Sequence, residues 1–278
     1  MAWFEVEHMN ILAALDQAMD TGQYDIAWKL PVVVDGFFEL HSSWKEWEDI
    51  HRIGAEAARV IGDRLGEASN VFALGDADWR SGRRESAMAN YESVISYAEE
   101  TEDPWLIGFS LRGLGLIHLE MGDLDRARDH FHSSREVFRA NGVRRGEGMA
   151  LLSLGEHARL IGDFDAAVSM GSDAVQVFIE IDDAWSEAWG ALPLAKSLAE
   201  LSRGREAAEL LVRASRTFDG FKDRRSLAMS SDLLGDVHHQ LGETATAADH
   251  WLYAAEIYES LGEDTLGEES RTKARRFE

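Results

Sequence analysis

Large apolar and very small residues recur side by side along this chain every 40 residues: Val34-Asp35, Leu74-Gly75, Leu114-Gly115, Leu154-Gly155, Leu194-Ala195 and Leu234-Gly235. A second series, Ser42, Gly82, Gly122, Gly162, Ser202 and Gly242, is followed five residues later by Trp47, Ala87, Ala127, Ala167, Ala207 and Ala247. Beyond each alanine, apolar side chains return at helical spacing, as in Phe131, Val137, Phe138 and again in Leu211, Ala214, Phe218. Such a stripe is the buried face of an amphipathic helix. A further turn recurs at Gly62-Asp63, Glu102-Asp103, Gly142, Asp182-Asp183, Lys222-Asp223 and Gly262-Glu263. Gly, Ser and Asp are helix-stop and capping residues, and Asp103-Pro104 is a cap followed by proline at the first helical position.

The pattern predicts six helix hairpins at 24–61, 65–101, 104–141, 145–181, 184–221 and 224–261. A leading helix near 3–20 and a closing helix near 264–276 flank them. The small residue in mid-helix lowers helix propensity by up to about 1 kcal/mol, so its recurrence implies a close approach by a neighbouring helix. Pro31 and Pro193 fall inside first helices, which they are expected to bend or restart. Self-similarity at this period marks a solenoid, in which each unit contacts only its neighbours. The expected fold is all-α: a right-handed α-α superhelix forming one domain over 1–278, with a leading helix in 1–22, repeats in 23–262 and a closing helix in 263–278.

Composition narrows the function. Hydrophobic residues make up 45% of the chain and charged residues 28%, enough apolar surface for a long core. The formal charge of −23 repels phosphate backbones, which argues against nucleic-acid contact and favours a basic partner. With no Cys there is no disulfide framework, thiolate nucleophile or Cys-based zinc site. Glu5 and Glu7 stand where a secretory signal carries positive charge, and no apolar run reaches the roughly 18 residues of a membrane span. A cytoplasmic protein without membrane contact is expected.

Leu114, Gly115, His118, Gly122, Ala127 and Phe131 together resemble the tetratricopeptide repeat, with His118 where that family usually has Tyr. The period exceeds the family's common length of about 34, as in its long-helix variety. The opening, Trp3-Phe4-Glu5-Val6-Glu7-His8-Met9-Asn10-Ile11-Leu12-Ala13-Ala14-Leu15 and then Asp25-Ile26-Ala27-Trp28-Lys29-Leu30, is similar to the start of the helical-repeat region in SARP-type and LuxR/MalT-type transcriptional regulators of actinobacteria. That resemblance implies a sensor or interaction arm attached to a switch ATPase and DNA-binding helices in a longer parent chain. No phosphate-binding G-x-x-x-x-G-K-[ST] occurs in these 278 residues. A free-standing adaptor that scaffolds a complex is the alternative.

The chemistry of catalysis is thin. His118 and His238 share one repeat position and His130 and His250 another, so the period explains them as packing or turn residues. Asp129, His130 and His132 do not place two imidazoles on one helix face, and adjacent acids such as Glu99-Glu100 diverge by about 100 degrees. No enzyme activity, metal or cofactor is expected. The repeat resemblance instead implies a concave groove lined by first helices. Carrying its positions over gives columns through Phe109, Met149 and Trp189, through Phe72 and Arg112, through Asp76, Glu156 and Lys196, and through Trp79 and Arg159. These ten side chains are the expected contact surface for a protein or peptide partner. The first of the third and fourth columns are Gly36 and Glu39. The carboxylate clamp that grips a chaperone tail uses Asn in the third column, and this chain has none there.

Overall fold

The computed structural model describes residues 2–41 and 44–276; Ser42 of the turn series lies outside the described residues, as do the surroundings of Gly36 and the side chain of Glu39. Among the described residues there are fourteen helices and no strand. Helix α1 (Ala2–Asp20) leads into α2 (Tyr24–His41) and α3 (Trp44–Ile61), α4 (Arg64–Arg80) and α5 (Arg84–Thr101), and α6 (Pro104–Glu120) and α7 (Leu124–Ala140). These make one compact unit, residues 1–143. The second unit, residues 144–278, pairs α8 (Arg144–Leu160) with α9 (Phe164–Glu180), α10 (Ala184–Glu200) with α11 (Gly204–Phe221) and α12 (Arg224–Gln240) with α13 (Thr244–Ser260), then ends with α14 (Asp264–Arg275). The six hairpins and two flanking helices fall where the turn series puts them.

The turns set the beat. Residues 22, 62, 82, 102, 122, 142, 162, 182, 202, 222, 242 and 262 all have positive φ, so a left-handed residue closes a helix every 20 positions. At Gly122 the amide donates to the Leu119 carbonyl (3.1 Å) and the next amide, of Asp123, donates to that of His118 (2.9 Å). These two bonds satisfy carbonyls that the helix end leaves open. The following residue then starts the next helix: Asp63, Asp103, Asp123, Asp163, Asp183 and Asp223 each accept a first-turn amide. Stop and start are adjacent residues, which makes the spacing rigid.

The small residues mostly face a side chain from their own hairpin. A Cβ on Gly75 would lie 2.7 Å from the Tyr91 ring, and one on Gly115 would lie 2.5 Å from the Phe131 ring. The expected close approach by a neighbouring helix is therefore made, at both sites, through an aromatic ring. A second lock of the same kind sets Gly148 under Phe178 in the other unit. The alanines of the beat are buried, Ala87, Ala127, Ala207 and Ala247 completely. Arginines at helix starts then clasp a neighbouring helix, Arg84 to Glu120 across two repeats at 3.1 Å and Arg144 to Glu180 within one hairpin at 2.5 Å.

The prolines do not restart their helices. Both α2 and α10 run unbroken through Pro31 and Pro193. Each proline removes one backbone bond of a long ladder, while its helix is held by neighbours on either side, α2 between α1, α3 and α4, and α10 between α9, α11 and α12. Within each unit the first helices touch in series, α2 with α4 and α4 with α6, and α8 with α10 and α10 with α12. In each unit they form a wall, and the second helices back it. In the second unit α14 closes the wall through Lys273, which reaches Asp232 (2.6 Å) and Asp236 (2.9 Å). No helix among the described residues is long and apolar enough to cross a membrane.

Candidate functional site

The wall of the first unit carries five of the expected contact residues: Phe72, Asp76, Trp79, Phe109 and Arg112, all half-buried. An aromatic chain runs along it. Phe72 packs on Tyr91 (centroids 5.9 Å) and Trp105 (5.1 Å), and Phe109 packs on Trp105 (4.7 Å) and Phe138 (4.9 Å). Phe72 and Phe109 thus serve the stacking of the hairpins while presenting an edge outward. Asp76 accepts the Tyr91 hydroxyl at 2.5 Å. Burial and the Asp76 carboxylate push that hydroxyl far above its ordinary range, so it stays a donor, and Arg112 and Arg80 lie near enough to oppose the shift. Trp79 donates its indole N–H to Glu120 (2.9 Å), which Arg84 also holds.

The wall of the second unit carries the other five. Met149 rests half-buried against the Leu151, Leu152 and Phe178 cluster. Trp189 meets Trp185 edge-on at 6.4 Å, and Trp185 donates to Asp223 (3.0 Å) at the head of α12. Arg159 grips Glu156 with two hydrogen bonds of 2.8 and 2.7 Å, a bidentate pair one turn apart on α8. Lys196 is exposed, and with Arg159 it lines a cavity of about 190 Å³ shared with Glu200, Leu233, Asp236 and Gln240. Here the wall offers a small apolar floor under mixed charge.

The histidines at repeat positions form two matched stacks. His118 lies on His130 at 5.3 Å and 12°, and His238 on His250 at 5.3 Å and 8°. Burial, then the neighbouring imidazole, lowers His130 and His250 from the ordinary histidine value. These are the turn-packing residues that the period suggests, and no cluster of three metal-ligating side chains occurs among the described residues.

One polar group escaped the sequence reading. In the first hairpin Asp35 stands at the slot that is glycine in four other repeats, Trp47 at the alanine slot, and His51 at the slot of Tyr91, Phe131 and Trp251. Asp35 Oδ1 accepts from the Trp47 indole (2.6 Å) and lies 3.0 Å from His51 Nε2. His51, 1% exposed, turns Nδ1 to Asn70 Oδ1 at 2.9 Å. Asn70 donates its amide to the Trp28 and Gly66 carbonyls, which fixes its oxygen toward His51. The three replacements, Asp35, Trp47 and His51, are visible in the sequence as departures from the beat, but their contact with one another and with Asn70 is not.

Residues 107–180 match the tetratricopeptide repeat model. The chain is 24% identical over 264 residues, 94% of its length, to the regulatory protein AfsR of Streptomyces griseus, and spans 26% of that protein. A Rap protein complexed with competence and sporulation factor superposes with a TM-score of 0.68 at 13% identity, over 95% of this chain and 78% of that one. A STAND signal-transduction ATPase with a tetratricopeptide repeat sensor, from Pyrococcus horikoshii, gives 0.56 at 15% identity, over 97% of this chain and 50% of that one. The fold is thus a tetratricopeptide-like helical solenoid, and the chain is similar to a SARP-type regulator, as its opening residues suggest.

Proposed function

We propose that this chain is a non-catalytic interaction or ligand-sensing module of a bacterial transcriptional regulator or signal-transduction ATPase, working in the cytoplasm. Its partner, a protein or peptide, lies on the first-helix walls: on Phe72, Asp76, Trp79, Phe109 and Arg112 in one unit, and on Met149, Glu156, Arg159, Trp189 and Lys196 in the other. Occupancy changes how the hairpins stack and so biases an attached switch. The similarity to AfsR over 94% of the chain carries this reading, since the matched segment makes up 26% of that regulatory protein. Half-buried aromatic and aliphatic side chains interspersed with charge support it as a contact surface. The net charge of −23 supports a basic partner and opposes nucleic-acid contact by this segment.

Charge reversal on the second wall tests the reading. Arg159→Glu with Lys196→Glu alters the mouth of the cavity and leaves the buried core in place. Partners recovered from the native organism on the unmodified chain are expected to bind the double variant at least tenfold more weakly, with unchanged helical circular dichroism. Equal affinity for both proteins would sink the assignment of this wall.

A further inference from the structure

The polar group of the first hairpin stands behind a cavity of about 210 Å³ lined by Val32, Asp35, Ser69, Phe72, Asp103 and Trp105, with His51 at its back. At about 30 Å³ per water, that is the share of about seven waters, room for one long side chain. Its chemistry is lopsided. Among the described residues two carboxylates line it, Asp35 and Asp103, and no lysine or arginine does. Two aromatic rings flank it, and Trp105 is 43% exposed although it packs on Phe72 and Phe109. Both bonds to Asp35 fall on Oδ1, and among the described residues its Oδ2 accepts none.

A regular repeat needs none of this. Glycine at the Asp35 slot is what lets an aromatic ring seal the hairpin elsewhere, as Gly75 does for Tyr91. Replacing that lock by a carboxylate, an indole, an imidazole and an amide gives up apolar packing and fixes one acid in orientation at the wall. Local rules broken together at one place mark sites rather than scaffold.

We infer that this cavity receives a cationic side chain, the guanidinium or ammonium group of a basic peptide or protein partner, with Asp35 as its counter-ion and the Trp105 and Phe72 rings against its face or stem. A cation over an aromatic ring is attracted by the ring quadrupole, and a carboxylate oxygen that accepts no bond among the described residues completes the recognition. The excess of acid over base in the whole chain, 51 against 28, draws such a partner in. The inference rests on the proposed contact role of the first helices and names the chemistry of one point on it.

The test uses the full chain carrying 5-fluorotryptophan, followed by fluorine NMR. The probes are acetyl-Gly-Arg-Gly-amide, its lysine counterpart and its uncharged citrulline counterpart. The expected result is a saturable shift of the Trp105 signal, assigned by its loss in Trp105→Phe, with the arginine or lysine peptide and a response at least tenfold weaker with citrulline. Asp35→Asn, which keeps an acceptor for the Trp47 indole, is expected to weaken binding at least tenfold while circular dichroism is unchanged. Should Asp35→Asn unfold the first hairpin, Trp105→Ala on the exposed edge of the cavity serves instead, read by loss of peptide-induced amide shifts around Ser69. No saturable shift with either cation, or an equal response to citrulline, overturns the inference. A natural partner that still binds Asp35→Asn but not the Arg159→Glu, Lys196→Glu chain would overturn it while leaving the proposed function standing.

Discussion

Lys222 closes α11 with φ of 61°, in the left-handed region where a Cβ crowds the following carbonyl. The same place is glycine at Gly62, Gly142 and Gly262, where no side chain meets that strain. The amide of Asp223 nevertheless completes the turn by donating to the Phe218 carbonyl at 3.0 Å, so the backbone bonds of the helix end hold Lys222 where its own preference would not. Lys222→Gly removes the strain but adds unfolded-chain freedom, and the balance is expected to stabilise by about 0.5–1 kcal/mol. Urea unfolding read at constant slope checks it; a lower midpoint would contradict the strain argument. Glycines such as Gly115 were legible as places where a neighbouring helix comes close, but the ring that makes the approach was not. The Phe131 ring sits at i+16, a separation that becomes a contact only once the turn between them is formed.

The hairpin is the unit in which local signals agree, which is why its limits could be read. A left-handed stop, an aspartate cap and a buried alanine recur in fixed order, and each belongs to sequence neighbours. The arginine clasps were not legible, because Arg84 and Glu120 look like any solvated face until two repeats lie side by side. Pro31 and Pro193 leave their helices continuous for a related reason, since helix propensity is outweighed by packing on several sides. The histidine stacks sit at the junction of first and second helices and give the hairpins a pH response. In the unfolded chain His130 and His250 gain a proton as pH falls through about 6.5, whereas burial and the partner ring hold the folded groups below that value. Between the two values the unfolded state binds more protons, so stability rises with pH there and is lost as pH falls. Thermal midpoints at pH 7.5 and pH 5.5 are expected to differ less in His130→Gln, His250→Gln than in the parent chain. An undiminished difference would place the acid sensitivity elsewhere.

A charge of −23 spread over 278 residues acts on every repeat at once. Self-repulsion of that size destabilises a compact state, while the ion pairs that oppose it are mostly exposed, as with Arg144 and Glu180 at 42% and 48%. Exposed pairs contribute from nothing to about 1 kcal/mol each, and salt screens both terms. Repulsion among the excess carboxylates involves all their separations, whereas each pair involves two atoms in contact that screening reaches last. The first effect therefore loses more to added salt than the second. Raising sodium chloride from 10 to 300 mM at pH 7.5 is expected to stabilise by about 1 kcal/mol, or about 2–4 °C in thermal midpoint. Binding of a basic partner to the walls should weaken over the same range, because there the excess charge is the attraction. Calorimetry and a binding titration on one sample series separate these opposite signs. A midpoint that falls with salt would mean that the clasps between helices, and not the net charge, govern the electrostatics of the fold.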